Sequence, residues 1–198
     1  MRAKTVLTIT ILIVFSSVFA SCNPTPTPQP QVACVDFESP LTVGTQYGAP
    51  VGNVPGDLVF SANNISVLVF DFLFVGGGGT FNVATVEPAT PSFGTGQIIN
   101  TNNINLEFDF SGLSFQTSQV ALEFLDLGGF ENLSINGSNP IYIGELSSAP
   151  TPMSGVNITV TLTPVTGGNK GTLTLSGQVK TIRIVGQEFW LDNVCARE

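Results

Sequence analysis

The chain has 198 residues, with 6 basic side chains against 14 acidic ones, 10% charged residues overall and no histidine. The missing histidine excludes Ser-His-Asp and Cys-His catalysis and histidine-ligated zinc. The acidic balance, with no basic patch, argues against nucleic acid as a partner.

The first element is a secretory signal: a basic Met1-Arg2-Ala3-Lys4, an apolar run from Val6 to Ala20, and small residues before a cut. Phe19-Ala20-Ser21-Cys22 resembles the lipobox of bacterial lipoproteins, in which that cysteine is lipidated and becomes the mature N-terminus. The resemblance implies that residues 1–21 are removed and that Cys22 carries acyl chains. The protein would then be membrane-anchored outside the cytoplasm, at the cell surface or in the periplasm of a bacterium. Ordinary secretion with cleavage after Ala20 is the alternative reading. Residues 22–32 have proline at every second position from Pro24 to Pro30. Proline locks φ and lacks an amide donor, so this segment reads as a semi-extended stalk of roughly 35 Å.

One domain is expected from residue 33 to residue 198, long enough for a single well-covered core. No second apolar run is long enough to span a bilayer. Without Arg2 and Lys4, four basic residues face fourteen acidic ones, a net charge of about −10. Such a surface leaves carboxylates free for hard cations such as calcium, although solvation explains most of them. With Cys22 lipidated, Cys34 and Cys195 remain as a disulfide pair for an oxidising compartment. Their bridge would close a loop of about 160 residues, contributing about 5 kcal/mol in the chain-entropy model.

The domain reads as strands throughout. Residues 104–110, 157–163, 171–176 and 181–184 alternate apolar and polar, the period of half-buried strands. Residues 66–74 and 119–126 are apolar on both faces, as expected of central strands covered on two sides. Glycine-rich clusters at Gly76 to Gly79, Gly128-Gly129, Asn136-Gly137 and Gly167-Gly168-Asn169 separate them. The pattern predicts an all-β, antiparallel β-sandwich of jelly-roll type, filled by 15 phenylalanines and one tryptophan.

Cys34-Val-Asp-Phe-Glu38 opens the domain and Phe189-Trp-Leu-Asp-Asn-Val-Cys195 closes it. Here the chain resembles the galactose-binding-like jelly rolls, the fold of many carbohydrate-binding modules. In that group the acidic residues of the first and last strands often hold a structural calcium. The resemblance implies Glu38 and Asp192 as calcium ligands, with Asp36 and Asn193 in reserve, and carbohydrate as the ligand class. It covers the two terminal strands and the β pattern. Strand parity sets a condition. Cys34, Asp36 and Glu38 share a face, whereas Cys195 shares one with Asn193 and not with Asp192. A bulge or twist near Asp192 is therefore required if disulfide and cation coexist.

Asp126 and Glu131 flank the tight Gly128-Gly129 turn, where several oxygens can converge on an ion or on sugar hydroxyls; a plain polar turn is the alternative. Sugar binding also needs a flat aromatic. Trp190, Tyr47 and Tyr142 are the candidates, with core packing the competing role for Trp190. Asn63, Asn64, Asn102 and Asn103 are amide donors in loops or ordinary turn residues. Acid–base catalysis would have to come from carboxylates, Glu107 with Asp109 or Glu123 with Glu188. The first pair alternates with core residues as a solvated face does. The reading is thus an exported, lipid-anchored, non-catalytic module for carbohydrate or another extracellular ligand. A structural or adhesive surface protein and a carboxylate-dependent glycoside hydrolase are its rivals.

Overall fold

A computed structural model describes residues 29–198; the signal, Cys22 and the stalk up to residue 28 lie outside the described residues. The strands, in chain order, are β1 (Val32–Val35), β2 (Gln46–Gly48), β3 (Leu58–Ala62), β4 (Ile65–Leu73), β5 (Gly79–Thr80), β6 (Val83–Thr90), β7 (Phe93–Asn102) and β8 (Ile104–Asp109). They continue with β9 (Gln119–Asp126), β10 (Glu131–Ile135), β11 (Tyr142–Gly144), β12 (Asn157–Val165), β13 (Gly168–Ser176), β14 (Thr181–Val185) and β15 (Phe189–Arg197). Two 3-10 turns, Ala49–Val51 and Leu146–Ser148, are the only helical pieces among the described residues.

These strands form the expected antiparallel β-sandwich. One sheet runs β12-β13-β9-β15-β7-β6-β2, with β1 also on β15; the other runs β11-β10-β14-β8-β4-β3, with β5 on β4. Alternation decides which side chains fill the space between them. In β8, Ile104, Leu106 and Phe108 are fully buried while Glu107 faces outward; in β13, Leu173 and Leu175 are buried between threonines. Phe37, Phe72, Phe108, Phe124 and Phe189 are the largest buried side chains. Each such ring contributes about 1.5–3 kcal/mol through removal from water.

The two strands that look two-sided in sequence are covered outside the sandwich by side chains, not by a third layer. On β4, the Arg183 guanidinium lies 3.5 Å from the centre of the Phe70 ring. It is held there by a 2.8 Å ion pair with Glu107. On β9, Leu125 packs with Phe93 and Ile98 beneath the half-buried Trp190.

The first and last strands meet in the first sheet. β7 pairs with Phe189–Leu191 of β15, and β1 pairs with Val194–Arg197. Between these halves the register against β9 shifts between Asp192 and Cys195, with Asn193 at φ 50°. This bulge supplies the parity change that the sequence required. Phe189 and Leu191 point inward before it, and Val194 and Ala196 point inward after it. Cys34 therefore lies directly opposite Cys195, with Cα atoms 4.0 Å apart, and the two are disulfide-bonded. The chain is tied down slightly before residue 33: β1 begins at Val32, and the Glu198 amide donates to the Gln31 carbonyl.

Candidate functional site

Glu38 and Asp192 converge on one segment, the start of β7. Glu38 Oε1 accepts the Gln97 backbone amide at 2.7 Å and Oε2 accepts Gln97 Nε2 at 3.2 Å. Gly96, at φ 62°, lies so close that a Cβ there would run into the Glu38 carboxylate. Asp192 is 1% exposed; its Oδ2 accepts the Thr95 amide at 3.0 Å and its Oδ1 the Asn193 amide at 2.8 Å. Burial pushes the Asp192 carboxyl up to about 6, against the pull of those two amides and with help from Glu123 and Glu38. Asp36 is exposed and accepts the Glu38 amide. Asn193 forms the bulge, and its side chain reaches Glu123 at 3.5 Å. The expected ligand pair is thus in one place, with both carboxylates already used as amide acceptors.

The second acidic group lies where the chain crosses between the sheets. Asp126 ends β9 in one sheet and shares parity with the buried Leu122 and Phe124; Glu131 opens β10 in the other and shares parity with Leu133 and Ile135. Both carboxylates therefore face the gap at one end of the sandwich. The crossing itself is fixed by Gln187, whose Oε1 accepts the Phe130 amide at 3.2 Å. That oxygen would sit 2.6 Å from any Cβ at Gly129. β11 pairs Gly144 with Glu131, which brings the following Glu145 to the same point. One oxygen from each of Asp126, Glu131 and Glu145 lies within 4.8 Å of the others, a group placed to hold a metal ion.

Glu131 is 1% exposed, and its Oε2 accepts the Leu146 amide at 3.0 Å. Burial and then the nearby Asp126 raise its carboxyl from the usual 4.5 to about 8, and Glu145 adds to the rise. Burial also raises Asp126, partly countered by the Gly128 amide at 2.8 Å and reinforced by Glu188. Glu145 is the member that sequence reasoning missed. It is fourteen residues from Glu131, and only the β10–β11 register joins them. Asn132 was missed as well. Its buried amide bonds both the N–H (2.7 Å) and the C=O (2.9 Å) of Leu73, and so acts as a strand partner for β4.

The aromatic candidates are corrected in part. Tyr47 is 8% exposed and packs on Phe60 with ring centres 5.3 Å apart, because β2 turns its ring into the core; it offers no platform. Trp190 is half-buried over Leu125, and its Nε1 donates to Glu87 at 3.0 Å. Tyr142 is half-buried beside a proline-rich cleft and donates its hydroxyl to the Glu145 carbonyl at 2.8 Å. Asn63 and Asn64 occupy left-handed positions at φ 50° and 63° in the β3–β4 hairpin turn, and Asn103, at φ 51°, lies where the chain passes from β7 in one sheet to β8 in the other.

A polar groove of about 400 Å³ opens on the outer face of the first sheet. Thr161, Thr163, Thr172, Lys170 and Glu123 form its floor, and Thr90–Gly94 overhangs it. Lys170 Nζ donates to the Ser92 carbonyl at 3.0 Å and ties this overhang to the sheet. Threonine on the wet face of these strands was legible in the sequence; the overhang was not.

The carboxylate pairs considered for catalysis are engaged elsewhere. Glu107 is held by Arg183, and Asp109 accepts the Ser111 amide at 2.8 Å. Glu123 lies opposite Asp192 in the register, whereas Glu188 acts on Asp126. The two are thus assigned to different acidic groups. No model of a known protein family matches this chain, and no curated protein is significantly similar to it. The galactose-binding-like resemblance therefore rests on the terminal-strand residues and the sandwich alone.

Proposed function

We propose that this protein is an exported, lipid-anchored, non-catalytic module that binds carbohydrate, with calcium as a structural cofactor. The observation that carries the reading is the hydroxyl-lined groove on the first sheet. Its volume falls in the range of small-ligand sites. It offers three threonine hydroxyls, one cation and one carboxylate on a rigid floor, a donor and acceptor set suited to sugar hydroxyls. The Cys34–Cys195 disulfide supports maturation in an oxidising compartment, outside the cytoplasm. No helix among the described residues is long and apolar enough to cross a membrane; in this reading attachment is through a lipid on Cys22.

Two experiments test the proposal. The intact protein on a glycan array, with and without EDTA, should select a defined set of sugars; a flat array refutes carbohydrate binding and favours a structural or adhesive surface protein. Released reducing sugar would favour the glycosidase. Detergent partitioning and mass spectrometry of the native chain should find acylated Cys22 at the N-terminus. An unmodified N-terminus at Ser21 removes the anchor.

A further inference from the structure

We infer that Asp126, Glu131 and Glu145 form a calcium site that ties the two sheets together at one end of the sandwich. The inference takes up the cofactor part of the reading above and rests on that part alone, since none of the three lines the groove. Calcium binds oxygens at about 2.4 Å, so two ligand oxygens can lie about 4.8 Å apart across one ion. The span of the three carboxylate oxygens is no wider than this.

Glu131 supplies an independent sign. Its side chain is almost completely buried, its Oε2 is held by the Leu146 amide, and its Oε1 accepts no hydrogen bond from any other residue. Buried polar atoms are otherwise hydrogen-bonded, and an orphan of this kind points to a missing ion or water. Among the described residues no basic side chain answers it. The charged groups acting on Glu131 are Asp126 and Glu145, both acidic, and among the described residues the only ion pair is Arg183–Glu107.

The ligands are also pre-aimed. The Gly128 amide holds one oxygen of Asp126 and the Leu146 amide one oxygen of Glu131, so each carboxylate is oriented by an amide and keeps a second oxygen, as supporting shells do. All three donors are carboxylate oxygens, the chain has no histidine, and Cys34 and Cys195 are bonded to each other. This set selects a hard cation over zinc or copper. The exposed position of Glu145 leaves room for water to complete the six to eight ligands that calcium takes.

Calorimetric titration of the EDTA-treated intact protein with calcium chloride is the test. The wild type should bind one ion. Glu131→Gln keeps the shape, removes the orphaned charge and should weaken binding roughly 100-fold. Glu145→Gln, at an exposed position, should weaken it about tenfold without lowering the melting temperature in EDTA, since it also removes a repulsive neighbour of Glu131. Asp192→Asn should leave the affinity within about threefold of wild type, because that carboxylate is already committed to amides. Unchanged affinity in both glutamate variants overturns the site; loss in Asp192→Asn instead would place the ion at the terminal strands and keep the calcium reading. No binding to the wild type overturns both the site and the calcium reading.

Discussion

The two acidic regions of this sandwich are built from the same side-chain type and come out differently. At the terminal strands, all four carboxylate oxygens of Glu38 and Asp192 accept N–H groups from the segment around Gln97 and the bulge at Asn193. At the sheet crossing, Glu131 accepts an amide on one oxygen and leaves the other buried without a partner. The first region is a clasp, with carboxylates standing in for missing strand partners. The second is an unbalanced charge cluster that needs a cation or a proton. Counting acidic residues cannot separate the two; the hydrogen-bond donors around each carboxylate do.

The largest effect should come from the disulfide of the terminal strands. Replacing Cys34 and Cys195 together by serine releases a loop whose ends are 161 residues apart. The expected loss is about 5 kcal/mol in the chain-entropy model. Urea unfolding should show the same loss in calcium and in EDTA. A loss confined to EDTA would mean that the two acidic regions are coupled.

The crossing should instead govern pH dependence. In EDTA, below the ordinary carboxylate value of 4.5 both folded and unfolded Glu131 are protonated and contribute no slope. Between 4.5 and about 8 the unfolded chain releases this proton while the folded chain keeps it, so stability falls as pH rises through that window. Asp126, Glu145 and Glu188 face the same region and add no positive charge to offset it. Asp192 acts with the same sign from 3.8 to about 6. A tenfold difference in proton affinity between the folded and unfolded chain is worth about 1.4 kcal/mol, so the fall should reach a few kcal/mol. Saturating calcium or Glu131→Gln should flatten the upper part of the profile, and an unchanged slope in Glu131→Gln would assign it to another group.

Gly96→Ala sharpens the comparison from the other side. A methyl group at φ 62° is strained and displaces the Glu38 carboxylate from the Gln97 amide. A loss of about 2 kcal/mol is expected, equal with and without calcium. A loss that calcium repairs would return the ion to the terminal strands. The smallest effect belongs to the groove. Lys170→Ala should cost under about 1 kcal/mol of stability, through the bond to Ser92. It should also weaken glycan binding about tenfold. Unaltered glycan affinity would move the ligand off this face.

Much of the fold was legible because a sandwich imposes a period of two, and strands such as residues 104–109 and 171–176 carry it without interruption. The need for a bulge near Asp192 was legible too, since parity alone makes Cys34–Cys195 and an Asp192 carboxylate on the Glu38 side incompatible along a regular strand. The convergence of Asp126 and Glu131 could be suspected from the Gly128-Gly129 turn between them. Alternation and the two-glycine turn depend on neighbours two to five residues apart, and the bulge follows from parity along the last strand once Cys34 is paired with Cys195.

Other decisions belonged to the tertiary structure. Burial of Tyr47 depends on β2 docking against β6, and capture of Glu38 depends on Gly96 and Gln97 lying 58 and 59 positions away. Glu145 joins its cluster only through the register of β10 on β11. Residue type and spacing carry alternation and turn chemistry. They do not encode which amide reaches which oxygen, because that is settled by pairings between segments far apart in the chain, and those pairings determine which carboxylate is satisfied and which remains open to an ion.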